Sequence, residues 1–105
     1  MTNKYGARRT WSAFVQREFD SKAEARRAED LFMEEKAGLI SRLQYQPSWV
    51  LCKRPKITYT ADFAYVKAGS SLHTIEDVKG VLTRETRVKL AWLKEKFGIE
   101  VTIIR

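Results

Sequence analysis

Residues 57–66 constrain this chain most. Ile57, Tyr59, Ala61, Phe63 and Tyr65 alternate with Thr58, Thr60, Asp62, Ala64 and Val66, and a period of two is the period at which successive side chains leave opposite faces of a strand. An isolated strand leaves its backbone N–H and C=O groups without partners, so the fold has to be built around a sheet. The alternation also predicts that Asp62 points away from the face that carries Ile57, Tyr59 and Phe63.

The neighbouring segments supply partners for that strand. Ala68-Gly69-Ser70-Ser71 is a turn signal, and residues 72–79 read as the returning strand of a hairpin. Upstream, residues 39–52 carry Leu43, Tyr45, Trp49 and Leu51 and read as one strand. Pro47, which has no N–H to give to a ladder, marks an edge or a bulge in it. The tail 99–104 is rich in β-branched residues and reads as a last strand.

Two stretches have the other period. Ala25, Ala28, Leu31 and Phe32 recur at spacings of three and four after Ser21, with Gly38 as the stop; Thr86, Leu90, Leu93 and Phe97 do so after Thr83, with Gly98 as the stop. Each pattern is one face of an amphipathic helix between a cap and a terminator. The expected order is α-β-β-β-α-β, an α/β fold in which a mixed sheet is flanked by two helices. Residues 1–18, where Lys4, Tyr5, Arg8, Arg9, Trp11, Phe14 and Arg17 mix cations with rings, read as a basic, aromatic arm with room for one short strand. Residues 19–105 read as the domain. At 105 residues there is no room for a second.

Twenty Lys and Arg against thirteen Asp and Glu give a formal charge of +7, which favours a polyanionic partner, nucleic acid first. Cys52 is the sole cysteine, so neither an intrachain disulfide nor a cysteine zinc cluster can form, and a reducing cytoplasm fits. No run approaches the ~18 apolar residues that a membrane span needs, and the expectation is a soluble protein without a standard secretion signal.

Asp62 and Asp77 lie on adjacent predicted strands, where side chains can come within several ångströms of one another. Paired carboxylates hold hard cations such as Mg²⁺, and a divalent cation activates water for phosphodiester hydrolysis. Lys79, two residues beyond Asp77, shares its face. The pattern acid-x-Lys also occurs at Asp20-Ser21-Lys22 and Glu34-Glu35-Lys36, but at a helix start and inside a helix, where residues two apart do not face each other. Only Asp77-Val78-Lys79 lies on a predicted strand beside another acid-bearing strand.

The strings Phe19-Asp20-Ser21-Lys22-Ala23-Glu24-Ala25, Gly38-Leu39-Ile40, Gln46-Pro47, Tyr59-Thr60-Ala61-Asp62-Phe63 and Ile75-Glu76-Asp77-Val78-Lys79-Gly80 together resemble a family of small phage and prophage nucleases of the PD-(D/E)XK superfamily. The likeness spans residues 19–104. It implies a restriction-endonuclease-like core whose catalytic residues are Glu24, Asp62, Asp77 and Lys79, with Gln46 near the site. Asp62, Asp77 and Glu24 would be the metal ligands, and the ion Mg²⁺ or Mn²⁺. The proline usual before the first aspartate is Ala61 here. The implied activity is a metal-dependent endodeoxyribonuclease on branched or phage DNA, of junction-resolving type. Two strands to cut and one site per chain imply a homodimer. Phage replication, recombination or packaging proteins are the implied partners, with the bacterial host cytoplasm as the location. Lys4, Arg8, Arg9 and Lys22 are the candidate phosphate contacts.

Each residue also has a structural reading. Ser21-Lys22-Ala23-Glu24 is a capping box, which by itself explains Glu24. Lys79 beside Asp77 is also what a surface ion pair looks like. Glu76 is expected on the face opposite Asp77, as a structural residue or as one that supports the site from behind, and His73, the single histidine, as an ordinary loop or strand residue. The basic arm reads equally as a solvated terminus, and the cations of the second helix as a charged surface. A non-catalytic DNA-binding or accessory module of a phage recombination or packaging complex is the alternative function. A missing acid or lysine would signal it, and none is missing.

Overall fold

The structure is a computed structural model that describes residues 9–105. Two short strands, β1 (Thr10–Ser12) and β2 (Arg17–Phe19), precede the first helix, α1 (Lys22–Lys36). They are followed by β3 (Ile40–Tyr45), β4 (Ser48–Lys53), β5 (Lys56–Thr60), β6 (Phe63–Lys67) and β7 (His73–Val78). The second helix, α2 (Arg84–Phe97), and β8 (Val101–Ile104) complete the chain.

The main sheet has the order β3-β6-β7-β8. Its first two pairings are antiparallel and the last is parallel, with Asp77 opposite Ile103. A parallel pair needs a crossover connection, and α2 supplies it. The α/β class, the mixed sheet and the two helices are therefore as the sequence predicts. The simple order α-β-β-β-α-β is not, because both long predicted strands are broken in two and the arm contributes a hairpin.

The breaks share one cause. Residues 40–67 form a single long hairpin that bends where Gln46-Pro47 faces Ala61-Asp62. Pro47 cannot donate to the ladder and Gln46 has a φ of 55°, so the straight pairing stops there. Two backbone bonds bridge the bend, Gln46 N–H to the Asp62 carbonyl (2.9 Å) and Ala61 N–H to the Pro47 carbonyl (3.0 Å). Beyond it β4 and β5 continue as a separate two-stranded arm. The strict alternation of 57–66 accordingly fails at Ala61-Asp62. Tyr59 and Ala61 belong to one core and Phe63 and Tyr65 to the other, so Tyr59 and Phe63 do not share a face.

These two cores lie on opposite faces of the main sheet. Ala25, Ala28 and Leu31 of α1 pack on Ile40, Phe63 and Tyr65; Leu93 of α2 packs on Ala64, Ile75, Tyr59 and Leu51. Leu31 and Leu93 are completely buried, each contributing about 2 kcal/mol of transfer free energy. Residues 10–18, read from sequence as part of an arm, form with Phe19 a hairpin docked on α1, and Phe19 lies in the core. Ser12 Oγ donates to Glu29 Oε2 at 2.6 Å. Both caps are as predicted. Ser21 Oγ accepts from Glu24 N–H and Thr83 Oγ1 from Thr86 N–H, and Gly98, in the left-handed region at φ 69°, ends α2.

On the α1 face Glu76 is almost fully buried. Arg27 donates to both its oxygens (2.8 and 2.7 Å), and Tyr65 OH donates to Oε2. Burial alone would raise the Glu76 carboxyl, but the guanidinium and the phenol outweigh it and hold it below its ordinary range. Glu76 is thus structural, as its place on the strand predicts. Removing Arg27 leaves a buried carboxylate without its counter-charge, which costs about 3–5 kcal/mol. Arg27→Met is expected to lower the melting temperature by more than 10 °C, and Arg27→Met combined with Glu76→Gln to recover most of that loss, as scanning calorimetry would register. Equal melting temperatures for the single and double variants would show that the pair is not the source.

Candidate active site

Three elements meet at the end of the sheet where the long hairpin bends. Glu24 sits in the first turn of α1, Asp62 in the bend just before β6, and Asp77 near the end of β7, with Lys79 immediately past it. The ladder of β7 runs on beyond its formal end, since Lys79 N–H donates to the Ile104 carbonyl (2.9 Å). The Lys79 side chain therefore keeps the face of Asp77, and its amine lies 3.5 Å from Asp77 Oδ2.

Asp62 is fixed through three groups. Its N–H donates to the Glu76 carbonyl (3.1 Å), its carbonyl accepts from Gln46 N–H (2.9 Å), and its Oδ2 accepts from Val78 N–H (2.7 Å). Its carboxyl is pushed up to about 7, first by burial and next by the adjacent Glu24 carboxyl, against the pull of Asp77 and of Val78 N–H. Asp77 is also pushed up to about 7, by burial and by Asp62, against Tyr59 and Lys79.

Asp77 is completely buried. Tyr59 OH donates to its Oδ2, whereas Oδ1 has no hydrogen-bond partner among the described residues. A buried oxygen without a donor costs on the order of 1–3 kcal/mol and calls for an explanation. Beside it opens a cleft of about 670 Å³ whose walls include Glu24, Asp62, Lys79, Tyr59, Thr83 and Lys89, Asp77 itself lying behind the wall. The donor set is oxygen only, which suits a hard cation, and the orphaned oxygen fits one. Among the described residues no group of three or more Asp, Glu, His or Cys side chains is arranged so that it could hold a metal ion. One reason is visible: Glu24 Oε2 is turned back to accept from Asp20 N–H at 3.2 Å. Glu24 therefore serves the helix cap and lines the cleft at once.

The remaining candidates fall elsewhere. Gln46 is tied to Asp62 through its backbone, but its side chain is exposed and is not on the cleft wall. Arg9 lies outside the cleft lining and pairs with Glu18 (2.7 Å) and Asp20 (2.6 Å). Lys22 is exposed outside the cleft lining, and Lys4 and Arg8 lie outside the described residues. Sequence reasoning missed Tyr59. The signal available was a tyrosine on a strand destined for burial, whose hydroxyl must find a partner.

An α/β chain with a carboxylate-lined cleft at the bend of a long hairpin is the class defined by this geometry. Residues 2–104 match the model of a protein family described as protein of unknown function (DUF1064), and the chain belongs to that family. No curated protein and no solved structure matches it. No helix among the described residues is long and apolar enough to cross a membrane.

Asp62 and Asp77 both bind a proton more tightly folded than unfolded. Their contribution to stability is present below pH ~4, near the ordinary 3.8, and is lost as pH rises through about 7. Asp77→Asn keeps the shape and discards the charge. Its melting temperature is expected to exceed that of the unaltered chain by several degrees at pH 8 and to approach it at pH 4. A difference independent of pH between 4 and 8 would refute this assignment.

Proposed function

We propose that the protein is a Mg²⁺- or Mn²⁺-dependent endodeoxyribonuclease of the PD-(D/E)XK type with a restriction-endonuclease-like core. The observation that carries the reading is the convergence of Glu24, Asp62 and Lys79 on one cleft from α1, the hairpin bend and the end of β7, with Asp77 buried beside Lys79 and its Oδ1 without a hydrogen-bond partner among the described residues. Asp62 and Asp77, with Glu24, are the residues that would hold the cation. When bound, the ion supplies an activated water and neutralises charge on the phosphate.

The chain's own groups do the rest. Tyr59 and Val78 N–H fix one oxygen each of Asp77 and Asp62, so the carboxylates keep their orientation without a ligand. Lys79, partly exposed at the cleft and 3.5 Å from Asp77, is positioned to orient the attacking water and to steady charge developing on the phosphate. Branched DNA of the kind made by phage is the favoured substrate and a homodimer the favoured assembly, in a bacterial cytoplasm.

The test is cleavage of matched linear, nicked, flap and four-way junction DNA with and without Mg²⁺ or Mn²⁺. Asp77→Asn and Lys79→Ala are expected to lower the rate by about 100-fold or more while binding DNA within a few-fold of the unaltered chain. Mg²⁺ should raise the melting temperature of the unaltered chain and not that of Asp77→Asn. Glu76→Gln is a poor control because Glu76 anchors Arg27; Asp30→Asn, exposed on α1, is a better one. DNA binding with no cleavage of any substrate would replace this reading with that of an accessory DNA-binding module.

A further inference from the structure

The β4–β5 arm carries a charge arrangement that folding alone does not favour. Lys53 closes β4, Lys56 opens β5, and the two are paired directly across the turn, with Arg54 between them. All three are exposed. Like charges directly opposite each other destabilise an antiparallel pair, and among the described residues no carboxylate forms an ion pair with any of the three. Five other cations, Arg9, Arg27, Lys79, Lys89 and Lys94, each have an acidic partner. The turn therefore holds three positive charges against mutual repulsion with no internal return.

The arm is also rigid with respect to the cleft. Its inner side chains, Leu51 and Tyr59, pack with Leu93 of α2; Trp49 stacks on Tyr59 at 6.3 Å between ring centroids, and Lys96 of α2 donates to the Leu51 carbonyl (3.0 Å). Thr58, Tyr59 and Thr60 form part of the cleft wall. From Thr60 down β5 to Lys56 the strand rises on the order of 13 Å, close to the ~12 Å width of a DNA major groove.

We infer that the β4–β5 arm is a backbone clamp for duplex DNA, in which Lys53, Arg54 and Lys56 hold phosphates across the groove from the phosphate seated in the cleft. The inference rests on the nuclease reading for what occupies the cleft, but the clamp itself needs only binding. Contacts of this kind carry no base information; they set the register of the duplex on the protein.

The experiment compares the full chain with a variant carrying Lys53→Ser, Arg54→Ser and Lys56→Ser, by fluorescence anisotropy with a 30-base-pair duplex, without divalent metal, over a salt series. Each phosphate that is no longer neutralised lowers the slope of log K against log salt by about 0.9, so the slope is expected to fall by about 2–3 and affinity at low salt by at least about tenfold. The variant's melting temperature should be unchanged or raised, since repulsion is removed. An unchanged slope and affinity, or no duplex binding by the unaltered chain, overturns the clamp. So does a loss confined to anionic phospholipid vesicles or to single-stranded RNA. Cleavage with metal separates the two readings. If the unaltered chain cleaves DNA and the variant binds as it does, the clamp fails and the nuclease stands. If the slope falls as expected while the unaltered chain never cleaves, the nuclease fails and the clamp stands.

Discussion

Three strands are tied together at Asp62, and the rest of the molecule is arranged about that knot. Its N–H binds the Glu76 carbonyl of β7, its carbonyl binds Gln46 N–H at the end of β3, and its side chain binds Val78 N–H. The hairpin can bend there without leaving these backbone groups unsatisfied, which the low-dielectric interior would penalise. The bend in turn brings Tyr59 over Asp77 and sends β4 and β5 out from the sheet. Without the knot there would be one straight ribbon and no cleft.

The same junction holds two buried acids in unlike surroundings. Glu76 and Asp77 are sequence neighbours with opposite fates. Alternation sends Glu76 to the α1 face, where Arg27 and Tyr65 satisfy both its oxygens, and Asp77 to the other face, where Tyr59 satisfies one and Lys79 is only partly engaged. The first arrangement lowers the carboxyl's affinity for protons and the second raises it. Perturbed acids gather at functional sites because such sites need groups that the fold leaves unsatisfied.

Much of this was legible in the chain. Ser21, Gly38, Thr83 and Gly98 marked the helix limits, because caps and left-handed stops act locally. The turn at Ala68-Gly69-Ser70-Ser71 gave the β6–β7 hairpin for the same reason. Asp77 and Lys79 shared a face because β7 is regular to its end. The break at Ala61-Asp62 was not legible, since nothing in its own strand interrupts the alternation; the cause lies on the partner strand at Gln46-Pro47, and pairing across a hairpin is a tertiary fact. The Arg27–Glu76 pair joins residues 49 positions apart, and no local pattern announces it. The repulsion between Lys53 and Lys56 likewise becomes visible only when the register is known, and Arg9, which looked free among other cations, found its acids across the β1–β2 hairpin.

The arm's packing on α2 has a thermodynamic consequence. A flexible basic loop that grips a polyanion must surrender its conformational freedom at the moment of contact, and that loss is subtracted from the affinity. In β4 and β5 the backbone is already confined by Trp49, Tyr59, Leu51 and Leu93, so the ordering was completed when the chain folded. Only the ends of three long side chains remain to be immobilised. Whatever meets the tip encounters a surface whose entropy has largely been lost beforehand.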